Sequence, residues 1–102
     1  MTDLTANKVY KVLTLGEWEE ASKIGQIVTA LDQQDGFVHL SSAKQLNMTL
    51  SLYFLKEEKV ILLQINEGDI IEGLTYEYAD KRGREFAHLY GELRTDKISQ
   101  SW

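Results

Sequence analysis

The two histidines of this chain sit in near-copies of one phrase, Phe37-Val38-His39-Leu40-Ser41 and Phe86-Ala87-His88-Leu89-Tyr90-Gly91. Each phrase alternates with the strand period of two, so Phe37, His39 and Ser41 share one face of their strand, as Phe86, His88 and Tyr90 do of theirs. Val38 and Leu40, with Ala87 and Leu89, point the opposite way. The matching alternation predicts that the two strands are neighbours or near neighbours in one sheet. Both imidazoles should then open on one concave face.

The rest of the chain supplies the elements around these strands. Val9 to Leu13 reads as a first strand. Thr14 and Glu17 are spaced as a capping box that opens a helix to about Lys23, with Trp18 and Ala21 inward and Gly25 at its end. Ile27-Val28 reads as a brief extended piece and Gln33 to Gly36 as a turn. Ser42 and Gln45 form a second capping-box pattern. The helix they open should bury a stripe of Ala43, Leu46, Leu50, Tyr53 and Phe54. Val60 to Ile65, apolar on both faces, predicts a central strand. Ile70-Ile71 and Leu74 to Tyr78 read as extended, Asp80 to Arg84 as an exposed hairpin tip or flap, and Lys97 to Trp102 as a last strand. With five or six strands and two helices, helices early and strands late, the expected class is α+β.

At 102 residues and 43% hydrophobic, the chain has material for a single domain, residues 1–102, with one core. Its net charge of −5 argues against nucleic acid as the main partner, although Lys81, Arg82 and Arg84 make a local basic spot. The absence of cysteine excludes disulfides, Cys-zinc sites and thiol catalysis. Met1 to Thr5 has neither a basic start nor an apolar stretch, and the apolar run Val60 to Leu63 is too short to span a bilayer. A cytoplasmic location without membrane contact is expected.

Histidine is the usual residue for proton transfer near neutral pH and also donates hydrogen bonds to ribose or phosphate oxygens. His39 and His88 are therefore the candidate catalytic residues. The alternative is two half-buried histidines satisfied by backbone. Metal binding would need a third ligand, from Glu77, Glu85 or Glu92, and no metal is expected. Ser41 stands beside His39 at the mouth of the next helix, where free N–H groups form a natural anion seat; a simple N-cap explains a serine there equally well. Arg82 and Arg84 suit bidentate phosphate contacts, against the plain reading of a solvated turn. Tyr90, beside His88, is placed to stack on a ring.

The two histidine phrases in this order, with Asp35-Gly36 before the first and the opening Val9-Tyr10-Lys11-Val12 and Glu17-Trp18, resemble the bacterial domain-of-unknown-function family 952. The resemblance runs from about Lys8 to the C-terminus. Members often carry proline where this chain has Ala87, and more glycine in the preceding loop. That family is distantly similar to the ADP-ribosyltransferase-like fold. The resemblance implies a small split, mainly antiparallel sheet with a cleft for NAD as substrate. His39-Leu40-Ser41 is similar to the motif that holds the ribose of the nicotinamide half. By the same resemblance His88, with Arg82 or Arg84, stands where a related subset of transferases uses His and Arg in place of a catalytic glutamate. Glu92 is the nearest counterpart of that glutamate.

The leading expectation is a nucleotide-like ligand bound between the histidine strands, with transferase or hydrolase chemistry at the ribose. His39 would orient the ribose and His88 would act as acid, base or phosphate ligand. Ser41 and a loop arginine would hold the phosphates. Two readings stay open beside it. One is a non-enzymatic ligand-binding or interaction domain. The other is a two-histidine phosphoesterase, whose His-x-Ser/Thr pattern fits His39-Leu40-Ser41 but not His88-Leu89-Tyr90.

Overall fold

Branched and apolar residues at nearly every position from Val60 to Ile65 suit a strand with a neighbour on each side, and the computed structural model places it so. The structure describes residues 7–56, 59–79 and 83–102. Strand β4 (Val60–Asn66) lies between β1 (Lys8–Thr14) and β8 (Ile98–Ser101), antiparallel to both. A second three-stranded sheet has the order β3 (Val38–Leu40), β6 (Arg84–Leu89), β5 (Leu74–Ala79), again antiparallel throughout. A short pair, β2 (Gln26–Ile27) with β7 (Leu93–Arg94), stands apart.

The two larger sheets touch at an isolated bridge, where Tyr10 and Ser41 exchange backbone hydrogen bonds of 2.7 and 2.9 Å. In a continuing antiparallel ladder Val12 would next face His39. The ladder stops instead, and the Lys11 side chain spans the gap to donate to the His39 carbonyl at 3.1 Å. The sheet is thus split between β1 and β3. Leu13, Leu40, Leu63, Ile65 and Leu93, all fully buried, bind both halves and the short pair into one core. Burial of each such side chain stabilises the fold by roughly 1.5–3 kcal/mol.

Among the described residues three α-helices join these strands. Helix α1 (Leu15–Ile24) opens with the expected Thr14–Glu17 capping box, buries Ala21 and packs Trp18 on the core. Helix α2 (Ala30–Asp35) replaces part of the expected turn: the Thr29 hydroxyl accepts from the Asp32 N–H and caps it. Gly36, at φ 84°, takes the left-handed conformation that ends this helix and turns the chain into β3. The Ser42–Gln45 capping box is present, opening a 3₁₀ turn (Ala43–Gln45) that runs into α3 (Leu46–Tyr53).

Two expectations need correction. Ile70-Ile71 lie in a 3₁₀ segment (Glu67–Gly73) rather than an extended piece. The apolar stripe of α3 is not buried: Ala43 and Tyr53 are exposed, and Leu46, Leu50 and Phe54 are only half-buried. The buried residue of that helix is Thr49, because α3 presents its hydroxyl to Ser41. The class is α+β and mainly antiparallel, with more short elements than the sequence predicted.

Candidate functional site

Pairing of β3 with β6 sets His39 directly opposite His88, the two histidine strands being immediate neighbours as expected. Their ring centroids are 5.8 Å apart. Phe37 stacks on His88 at 4.0 Å and leans on His39 at 4.5 Å and on Tyr90 at 5.4 Å. Alternation therefore does what it promised for Phe37, His39, His88 and Tyr90, which form one cluster.

The two imidazoles differ in what holds them. His39 Nδ1 lies 2.6 Å from Asp32 Oδ1, and its Nε2 lies 2.8 Å from Asp35 Oδ2. A neutral ring would donate to one carboxylate and turn a lone pair toward the other; the imidazolium donates to both. His88 Nδ1 lies 2.8 Å from Glu77 Oε1, which also accepts the Tyr90 hydroxyl at 2.6 Å. His88 is only 5% exposed, and its Nε2 has no hydrogen-bond partner among the described residues. Donation to Glu77 leaves that nitrogen as the basic one, the arrangement in which a carboxylate orients a histidine for proton transfer.

Asp32 ties this face to the split. Its carboxylate accepts from the His39 backbone N–H at 3.1 Å and from the Lys11 ammonium at 3.0 Å, and a second ion contact to Lys11 is 2.8 Å. Burial opposes ionisation of Asp32, but His39 and Lys11 outweigh it and hold the carboxyl below its ordinary range. Glu77 is held low by the Tyr90 hydroxyl first and then by His88, and the same bond raises the Tyr90 phenol.

The other expected site residues fall elsewhere. The side chain of Ser41 is buried, and its hydroxyl lies 2.6 Å from Thr49 Oγ1 rather than at an open helix mouth. It lines a cavity of about 240 Å³ in the split, together with His39, Lys11 and Thr49. Arg84 is exposed at the start of β6, opposite Ala79. It is four positions before His88, about 13 Å of strand, so it is not brought into the cluster. Lys81 and Arg82 lie outside the described residues. Among the described residues no group of three His, Asp or Glu side chains is disposed to hold a metal ion, and no helix is long and apolar enough to cross a membrane.

Sequence reasoning missed Asp32 and Asp35 and considered Glu77 only as a metal ligand. A signal for Asp32 was present: Thr29-Ala30-Leu31-Asp32 has the spacing of a helix start. Glu77 sits on the strand beside β6, one diagonal step from His88, because Thr75 faces His88 and Glu77 faces Phe86. That partnership depends on strand register, which the phrases alone do not contain.

The sequence profile of the family described as "Protein of unknown function (DUF952)" matches residues 12–101. No functionally curated protein matches the sequence. Among solved structures, the crystal structure of protein CC0527 from Caulobacter crescentus is 30% identical, with a TM-score of 0.85 over 93% of this chain and 83% of that one. The solution NMR structure of the same protein gives a TM-score of 0.80 at the same identity, over 93% of this chain and 82% of that one.

Proposed function

The chain belongs to the DUF952 family, and we propose that its paired-histidine face binds a nucleotide through the ribose, with His88 as the proton-transferring group. The observation that carries this reading is the division of labour between the imidazoles. Glu77 fixes Nδ1 of His88 and leaves Nε2 without a partner among the described residues, while Asp32 and Asp35 occupy both nitrogens of His39. His39 thus orients and polarises the site, and His88 meets the ligand.

A sugar diol suits the rim better than a phosphate does. Asp35 and Glu77 accept hydroxyl protons but repel an anion, and net charge −5 adds to that repulsion. The phosphates of NAD or ADP-ribose would project away from these carboxylates. An ADP-ribosyltransferase-like fold is part of this proposal. The sheet split beside His39-Leu40-Ser41 supports it. The two-histidine phosphoesterase reading has less support, since it needs two free imidazoles and His39 has none free.

Calorimetric titration with NAD, ADP-ribose and a ribonucleoside 2'-phosphate at low salt tests the proposal. Heat with ADP-ribose that disappears in His88→Ala is the expected result. No heat from any of the three at millimolar concentration would overturn it. Binding of NAD without any product would assign the chain to the non-enzymatic binding class.

A further inference from the structure

Helix α3 covers the split with a half-buried apolar side and one buried polar residue, Thr49. Beneath it the cavity of about 240 Å³ is walled by Tyr10, Val12, Leu31, Tyr53 and Phe54. None of His88, Glu77 and Tyr90 lines it. Tyr53, one of its lining residues, is 40% exposed.

The charged groups of its wall are already matched. Lys11 pairs with Asp32, and Glu17 closes the capping box on the Thr14 N–H. The Tyr10 hydroxyl donates to Gln64. A charged ligand would lose its hydration there without gaining a counter-ion. One polar feature is unmatched. Ser41 and Thr49 are 3% and 7% exposed, and their hydroxyls meet at 2.6 Å. One proton lies between the two oxygens, so one O–H is left to donate, and neither residue has a further side-chain partner among the described residues. Buried polar groups are nearly always satisfied, so a spare donor facing an open cavity points to an acceptor that comes from outside.

Volume limits the size of that acceptor's carrier. An apolar cavity of about 150 Å³ holds a benzene ring, and pockets for drug-sized ligands run from about 300 Å³ upward. The cavity here lies between these, too small for a dinucleotide. We propose that the gap between β1 and β3 is a binding site for a small neutral ring compound, held among Tyr10, Tyr53 and Phe54 and read through one hydrogen-bond acceptor by the Ser41–Thr49 hydroxyl pair. His39 lines this cavity and also faces His88, so the two sites share that residue, but the ligand here is read by Ser41 and Thr49 and does not depend on what the His88 face binds.

Two-dimensional amide NMR of the whole chain, titrated with phenol and with benzoate, tests this. Phenol should produce saturable shifts at Ser41, Thr49 and Tyr53, and benzoate should bind at least about tenfold more weakly for want of a counter-ion. Thr49→Val, which keeps the side-chain shape, should weaken phenol by about three- to tenfold, the worth of one hydrogen bond. Ser41→Ala gives the same reading should Thr49→Val fail to fold. Absence of saturable shifts with phenol, equal binding of benzoate, or shifts centred on His88 and Tyr90 would each overturn the proposal.

Discussion

His39 and His88 face each other across neighbouring strands with ring centroids 5.8 Å apart, yet only His88 keeps a ring nitrogen clear of protein partners among the described residues. Near-identical sequence phrases thus yield unlike chemical roles. The difference comes from neighbours that neither phrase contains: Asp32 and Asp35 on one side, Glu77 on the other.

Removal of Asp32 should be the most costly polar change. Asp32→Asn removes the carboxylate paired with the buried Lys11, and breaking a buried pair by deleting one partner costs about 3–5 kcal/mol. Leu63→Ala, in the closed core, should cost about 2–5 kcal/mol. His88→Ala should cost less than Leu63→Ala, about 0.5–1.5 kcal/mol for the hydrogen bond to a solvated carboxylate plus the packing of its ring under Phe37. Denaturant melts of the three variants check the order. A loss for His88→Ala equal to that of Leu63→Ala would make His88 a structural residue.

Acid should loosen both histidine partnerships. Asp32 and Glu77 have depressed carboxyl values in the fold. Each therefore adds stability that is present above the unfolded carboxyl range and lost as pH falls through its depressed value. Carboxyl-detected NMR titration should find both protonating below free Asp and Glu. A normal value for Glu77 would remove the Tyr90 and His88 contacts from the account.

At the other end of the scale, Tyr76 donates to Glu67 and its phenol is pushed up to about 12, by burial first and then by that carboxylate. Its contribution is present below the unfolded tyrosine value and fades as pH rises through about 12. Absorbance titration should show Tyr76 and Tyr90 both ionising late, and Tyr76→Phe should remove one of the two late steps.

Gly73 bears on the site through its backbone. A Cβ there would lie 2.3 Å from the Tyr90 carbonyl oxygen, and the Tyr90 N–H donates to the Gly73 carbonyl at 2.8 Å. Gly73→Ala must push the strands apart, costing about 1–3 kcal/mol and displacing Tyr90 from Glu77. Gly68→Ala, with nothing within 4 Å, is the control and should be near neutral. Thermal melts of the pair decide it; equal stability would contradict the close approach.

Periodicity made much of this architecture legible. It carried β1, β4, the His-bearing strands and the Thr14 and Ser42 helix starts, because each rests on local spacing. It misjudged α3, whose apolar spacing suggested a core face. The sheet beneath is open at the split, and a threonine hydroxyl turns inward instead. Ser41 was legible as a residue near His39 but not as Thr49's partner. The carboxylates were the hardest to see, since Asp32 and Glu77 reach the histidines through tertiary placement and strand register.

Long-range hydrogen–nitrogen NMR of the two imidazoles, with and without ADP-ribose, separates the roles of His39 and His88. His88 should carry its proton on Nδ1, toward Glu77, with a bare Nε2 whose resonance moves on adding ADP-ribose while both nitrogens of His39 stay fixed. A proton on Nε2 of free His88, or a ligand response confined to His39, would contradict this division of roles.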